Sequence, residues 1–299
     1  MLRDACDIFP DGLPQAFKPI AGHMKNNPLS LVWTQIIDKY SFSNLTYQSD
    51  RLVALSGIAR AVQIETEDQY VAGMWRKNLE FQLCWNLFTT APQRSPDYRA
   101  PTWSWASLDT NNMVGVYYGE ITPSQRNFTL LAHVVEVSVT PSGQNPLGNL
   151  SSAYLKITCK GMLSGPFDNK KSSWWGRHLR SFELLELPET DSLLLISLDC
   201  DEVIPEILYV LPLVQKRIDD GELVAGLIIA PTAGPKGEFR RYGSFVKTAH
   251  REDEEELASL EAFLRAWNHD GPATAASVCI EQDPAELEAR NEKFVLTLI

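Results

Sequence analysis

Charged, phenolic and indole side chains crowd the stretch Arg94-Ser-Pro-Asp97-Tyr98-Arg99, which leads into Trp103 and Trp105. Guanidinium and phenol groups can donate hydrogen bonds to a carbonyl as it gains negative charge, and indoles can wall a cavity for an apolar molecule. Two tryptophans one residue apart, behind Pro101, point to the same face of an extended segment. Tyr117-Tyr118 and the loop Lys170 to Arg180, with Trp174, Trp175, Arg177 and His178, add groups of the same kinds. Adjacent tryptophans in a polar, irregular loop need not belong to a core. Tyr98, Arg99, Tyr118 and His178 are therefore the candidate catalytic residues, and Trp103, Trp105, Trp174 and Trp175 the candidate substrate-binding ones. Asp97 or His178 would carry the proton in a general acid/base variant of the chemistry. The competing reading is that Trp33, Trp75, Trp85, Trp103 and Trp105 simply form a core shared by helices and sheet.

Other chemistries lack their motifs. There is no GxSxG, and Gly161-Met-Leu-Ser164-Gly165 has the wrong spacing for one. Histidines 23, 133, 178, 250 and 269 form neither HxxxH nor HExxH, so no metal site is expected. No GxGxxG follows a strand, and Gly234-Pro-Lys-Gly237 reads as a hairpin turn rather than a phosphate loop. No cofactor is expected. The acidic run Glu252-Asp-Glu-Glu-Glu256 reads as a solvated helix N-terminus, and Asp219-Asp220-Gly221 as a turn. Asp50 fits a helix N-cap, and Arg51 a structural partner for a carboxylate or the backbone.

Composition narrows the classes further. The 299 residues are 44% hydrophobic and 10% aromatic, enough for a substantial core in one large or two small domains. A net charge of −11 argues against nucleic-acid or anionic-membrane partners. Five scattered cysteines with no CxxC read as reduced thiols of a cytoplasmic protein. Aspartates interrupt any signal-peptide core near the start, and no apolar run approaches the length of a membrane span.

The elements that must position these residues follow from periodicity. Residues 1–28 read as a proline-rich arm. Residues 29–102 form a helical part, with helices at about 29–41 and about 50–64 and a helical stretch over about 68–89 that is open to a break near Arg76–Asn78. The first carries Leu31, Trp33, Ile36, Ile37 and Tyr40 near one face, and the second buries Leu52, Leu55, Ile58, Ala59 and Val62. Residues 103–299 are β-rich, with strands expected at 103–108, 113–119, 127–139, 152–163, 192–199, 207–214, 223–230 and 239–247. Residues 164–182 read as irregular. An acidic helix follows at 251–267, and a closing strand at 292–299. The fold class is thus α+β: an N-terminal helical layer on a mostly antiparallel barrel or sandwich, the two parts making one compact unit.

Several motifs also carry a family likeness. Trp33, Tyr40-Ser41, Leu45-Thr46, Asp50-Arg51-Leu52-Val-Ala54-Leu-Ser56-Gly-Ile-Ala59, Tyr70-Val-Ala-Gly73-Met-Trp75, Leu83-Cys-Trp85, Arg94 and Ala100-Pro-Thr-Trp-Ser-Trp-Ala-Ser107 occur in that order. They resemble the region after the effector module in fungal HET (heterokaryon incompatibility) proteins. Thr102 departs from the serine usual there. The likeness is close over about residues 30–107 and looser to the C-terminus, through Gly226 to Pro231, Tyr242 to Phe245 and Phe294 to Ile299. Only about thirty residues precede Trp33, too few for the TIR-like effector, so the resemblance implies a C-terminal half without its death-inducing part.

Two functions remain open. One is a cofactor-independent cyclase or isomerase of fungal secondary metabolism, such as an intramolecular Diels–Alder cyclase. It would fold a terpenoid- or polyketide-like hydrophobic substrate against an aromatic wall. The other is a HET-derived regulatory or binding module in non-self recognition, with a protein or ligand partner and no catalysis.

Overall fold

In the computed structural model, the described residues are 29–43, 45–87, 93–109, 116–117, 128–167, 173–174, 181–187, 192–200, 202–282 and 292–299. The arm at 1–28 lies outside them. The first helix, α1 (Leu29–Ser41), buries Val32, Trp33, Ile36, Ile37 and Tyr40 along one stripe. Helix α2 (Arg51–Thr66) buries the five apolar residues expected of it, together with the Arg51 side chain. Asp50 occupies its N-cap position, but its carboxylate makes no capping hydrogen bond. The Tyr40 hydroxyl instead donates to the Arg51 carbonyl at 2.6 Å and ties α2 to α1.

The third expected helix is replaced by shorter pieces. A hairpin of β1 (Tyr70–Val71) and β2 (Met74–Trp75) comes first, then a one-turn helix α3 (Leu79–Gln82) and strand β3 (Asn86–Leu87). The reason lies in the two-residue turn Ala72-Gly73, where both residues take positive φ, 47° and 94°. Such turns match the twist of paired strands and end a helix. Gln82 then staples the hairpin: its amide donates to the Trp75 carbonyl at 2.9 Å and accepts from the Trp75 N–H at 3.0 Å.

The 103–108 segment also differs from expectation. Trp105–Ser107 is a turn of 3-10 helix, and the Ser104 hydroxyl caps it by accepting from Ala106 N–H. Strand β4 (Val116–Tyr117) pairs with β3. The β-rich part then consists of β5 (Phe128–Leu130), β6 (Ala132–Pro141), β7 (Leu150–Cys159), β8 (Leu163–Pro166), β9 (Ser173–Trp174), β10 (Ser181–Leu187), β11 (Ser192–Leu198), β12 (Ile207–Ile218), β13 (Gly221–Pro231), β14 (Glu238–His250), β15 (Ile280–Glu281) and β16 (Phe294–Leu298). These make one 12-stranded sheet, with the path β5-β12-β13-β14-β11-β10-β9. Strand β16 branches off β14 and carries β7, β15 and, through β7, β6. Every pairing is antiparallel except β14 with β16. The sheet is bent rather than closed into a barrel. Leu131 marks the bend: the chain before it pairs with β12, and the chain after it with β7.

The hairpin turns fall where the polar dipeptides predict. Asp219-Asp220 joins β12 to β13, and Gly234 to Gly237 joins β13 to β14, with Gly237 at φ +86°. Residues 164–166 and 181–182, at the two ends of the segment read as irregular, belong to strands β8 and β10, to which β12 and β11 offer ladder partners. The acidic helix is α4 (Glu254–His269). Asp253 caps it by accepting from the N–H groups of Glu255 and Glu256. A short helix α5 (Gly271–Val278) follows. One apolar core runs continuously from α1 and α2 into the sheet through Trp33, Trp85, Trp105, Leu155, Leu213 and Leu296. The helical and β parts therefore share an interior. A second core lies under α4, centred on Phe245, Phe263 and Trp267.

Candidate functional site

The helix-to-sheet junction gathers most of the signature residues, and the Ala72-Gly73 turn is its centre. The Gly73 carbonyl accepts two indole N–H groups, from Trp33 at 2.9 Å and from Trp105 at 3.2 Å. The Ala72 carbonyl accepts the Ser104 hydroxyl at 2.6 Å. A Cβ on residue 73 would lie 2.9 Å from the Trp105 ring, so glycine is required both by the φ angle and by the indole over it. Around the turn, Trp33 stacks edge-on with Trp75 at 5.2 Å between ring centroids, and Tyr40 with Trp105 at 6.1 Å. Trp85 reaches from the other side, and its N–H donates to the Trp103 carbonyl at 2.9 Å. Both Trp103 and Trp105 are 0% exposed.

Arginines fasten this aromatic block to its surroundings. Arg99, 7% exposed, donates from Nε to the Ala106 carbonyl at 2.7 Å and from Nη1 to the Gln48 carbonyl at 2.9 Å. Its Nη2 pairs with Asp109 at 2.9 Å. It thus joins the 3-10 turn to the start of α2. Arg51 lies nearby, and burial, reinforced by the Arg99 charge, lowers its pKa to about 10. Burial likewise raises the Tyr40 phenol to about 12. Tyr98, next to Arg99 in sequence, turns outward and is 52% exposed, with its phenol near the Ala153 backbone.

On the sheet side the central residue is Arg241, fully buried on β14. It grips Asp199 with two bonds, Nε to Oδ2 at 2.8 Å and Nη2 to Oδ1 at 3.0 Å. The same guanidinium donates to the carbonyls of Leu83 and Trp85 and lies 3.5 Å from the Trp85 ring centre. One side chain therefore locks β14, the turn after β11 and the segment after α3. The Cys84 thiol, between those two carbonyls in sequence, is pushed up to about 12 by burial and stays protonated. Thr102 completes the junction. Its hydroxyl accepts the Arg241 N–H at 3.0 Å and donates to the Ile299 carbonyl, which also receives the Thr102 N–H at 3.2 Å.

Of the eight candidate residues, the structure brings Arg99, Trp103 and Trp105 together, and Tyr98 borders them at the surface. Tyr118, Trp175 and His178 lie outside the described residues. Of Trp174 only the backbone is described, paired with Ser181 across β9 and β10. Sequence reasoning missed Arg241, Asp199 and Gln82. The available signal was the place of Arg241 two residues after Phe239, in step with the inward alternation of β14.

Among the described residues no cluster of His, Cys, Asp or Glu could hold a metal ion, and no helix is long and apolar enough to cross a membrane. Comparison of the chain with protein-family models, curated proteins and solved structures finds no match.

Proposed function

We propose that the chain is a regulatory or binding module of the HET type, acting through its surface, with the signature tryptophans serving as the joint between helical layer and sheet. The observation that carries this reading is the complete burial of Trp103 and Trp105, whose neighbours Ser104 and Arg99 spend their polar atoms on backbone carbonyls. Groups so committed have no face left for a substrate. They keep fixed the relative position of two layers, which a surface that must be recognised requires. The likeness of residues 30–107 to the region following HET effector modules gives the module its context. The test is co-expression in fungal cells with a HET effector module supplied as a separate chain. The regulatory reading predicts a change in the number of viable cells relative to the effector alone. Unchanged viability, with no co-elution of the two chains on size exclusion, would contradict it.

The cyclase reading keeps one described support, the half-exposed Tyr98 phenol beside the Ala153 backbone, as a donor to a substrate carbonyl. Incubating the purified chain with fungal terpenoid and polyketide extracts and looking for isomers of unchanged mass tests it. A product that vanishes with boiled protein and with Tyr98→Phe would favour the enzyme.

A further inference from the structure

Beside the junction, at its solvent edge, two arginines share one carboxylate at unusually long range. Arg94 and Arg240 each approach one oxygen of Glu202, Arg94 Nη2 at 3.5 Å from Oε1 and Arg240 Nη2 at 3.6 Å from Oε2. Charge-assisted bonds between guanidinium and carboxylate ordinarily close to ~2.7–2.9 Å. Glu202 thus sits between two cations, with one long hydrogen bond from Arg94 and a looser pairing to Arg240. The Cys200 thiol also bonds Glu202, whose neighbour in the loop, Val203, is 93% exposed.

The arginines themselves are well placed. Arg94 is fixed by its other bonds, Nη1 to the Ser107 hydroxyl at 2.6 Å and Nη2 to the Arg241 carbonyl at 3.4 Å. Its Nε is buried and has no hydrogen-bond partner. Arg240 extends over the Tyr242 ring, 6.0 Å from its centre, and is about one-third exposed. The nearest other carboxylate, Asp199, stands 4.0 Å from Arg94 and is already gripped by Arg241. Among the described residues, three guanidiniums (Arg94, Arg240, Arg241) therefore face two carboxylates (Asp199, Glu202). The Cys200 thiol beside them is pushed up to about 12 by burial and adds no negative charge. Counted over the described residues alone, this is a local excess of cation that widens when Glu202 swings out.

We propose that Arg94 and Arg240 form a binding site for a phosphate dianion, which Glu202 covers as an internal stand-in. A tetrahedral dianion offers more acceptor oxygens than a carboxylate, and twice the charge, to the two planar guanidiniums that now share Glu202. The Arg94 Nε and the two Nη2 groups that now meet Glu202 are the donors it would engage. Binding displaces Glu202 and its loop, so occupancy of the site changes the surface at 202–206. Neither the regulatory nor the cyclase reading uses this site.

The experiment titrates inorganic phosphate into the full chain by isothermal calorimetry, with chloride adjusted to hold ionic strength constant. Glu202→Ala removes the stand-in, and Glu202→Gln keeps its shape without its charge. Both are expected to bind phosphate at least tenfold tighter than the wild type. Adding Arg240→Gln to either is expected to abolish the gain. Equal phosphate affinity in the wild type and both Glu202 variants, or a gain that survives Arg240→Gln, would overturn the proposal. A parallel melting curve with and without phosphate gives the same reading through ligand-linked stabilisation.

Discussion

Arg241 and Arg240 are neighbours on one strand, yet they occupy opposite environments. Arg241 points inward, is 0% exposed, and has its guanidinium bonded by a carboxylate, two carbonyls and an indole face. Arg240 points outward and holds one carboxylate at 3.6 Å. The difference teaches how the two regions divide their work. In the junction, the Arg99 and Arg241 guanidiniums and the Thr102 hydroxyl are all bonded by protein partners, so charge serves architecture. At the rim, charges are loosely paired and exposed, so they remain available to something else. A residue type that suggests chemistry in a sequence therefore says little until its hydrogen-bond partners are counted.

The comparison can be broken first at the indoles. Trp103→Ala removes a fully buried ring from the shared core and should cost ~3–5 kcal/mol, seen as a lower urea midpoint. A cost under ~1 kcal/mol would mean that the junction is not the joint between the layers. A smaller effect is expected at Thr102. Thr102→Val keeps the shape but leaves the Ile299 carbonyl and the Arg241 N–H short of a hydroxyl partner, a loss of about 1–3 kcal/mol. Thr102→Ser retains the hydroxyl and should recover most of it. If both variants behave alike, the hydroxyl bridge is not what matters there.

The smallest effect belongs to the exposed pair His250 and Glu256. Bonds from the His250 backbone N–H and from its ring hold the Glu256 carboxyl below its ordinary value of 4.5. The unfolded chain binds that proton more readily, so the contribution is fully present above about pH 4.5 and fades as pH falls below it. Glu256→Gln should lower the neutral plateau slightly and leave stability at the acid end unchanged, so that the acid limb flattens. A steeper acid limb would contradict the bonding described.

Much of the architecture was legible in the sequence, and for physical reasons. Helices α1 and α2 show a continuous apolar stripe, and the long strands β12, β13 and β14 show turn dipeptides at both ends, so local patterning decides them. The third helix was misread because Tyr70, Trp75, Phe81 and Trp85 look periodic, while the turn at Ala72-Gly73 is selected by contacts from Trp33, Ser104 and Trp105 far along the chain. Strands β8 and β10 were missed for the same reason, since their partners lie elsewhere. The candidate site was legible only in part. Arg94, Arg99, Trp103 and Trp105 stood out by type, but their committed hydrogen bonds did not. Asp199 and Arg241 lie 42 residues apart, with no local pattern to pair them.

The most direct test of the divided roles compares the two neighbouring arginines by equilibrium urea unfolding. Arg241→Ala strands a buried Asp199 carboxylate and should cost ~3–5 kcal/mol. Arg240→Ala loosens only a long, exposed pair and should stay within ~0.5 kcal/mol of the wild type. That separation is the result the account predicts. Equal losses at the two positions would contradict it.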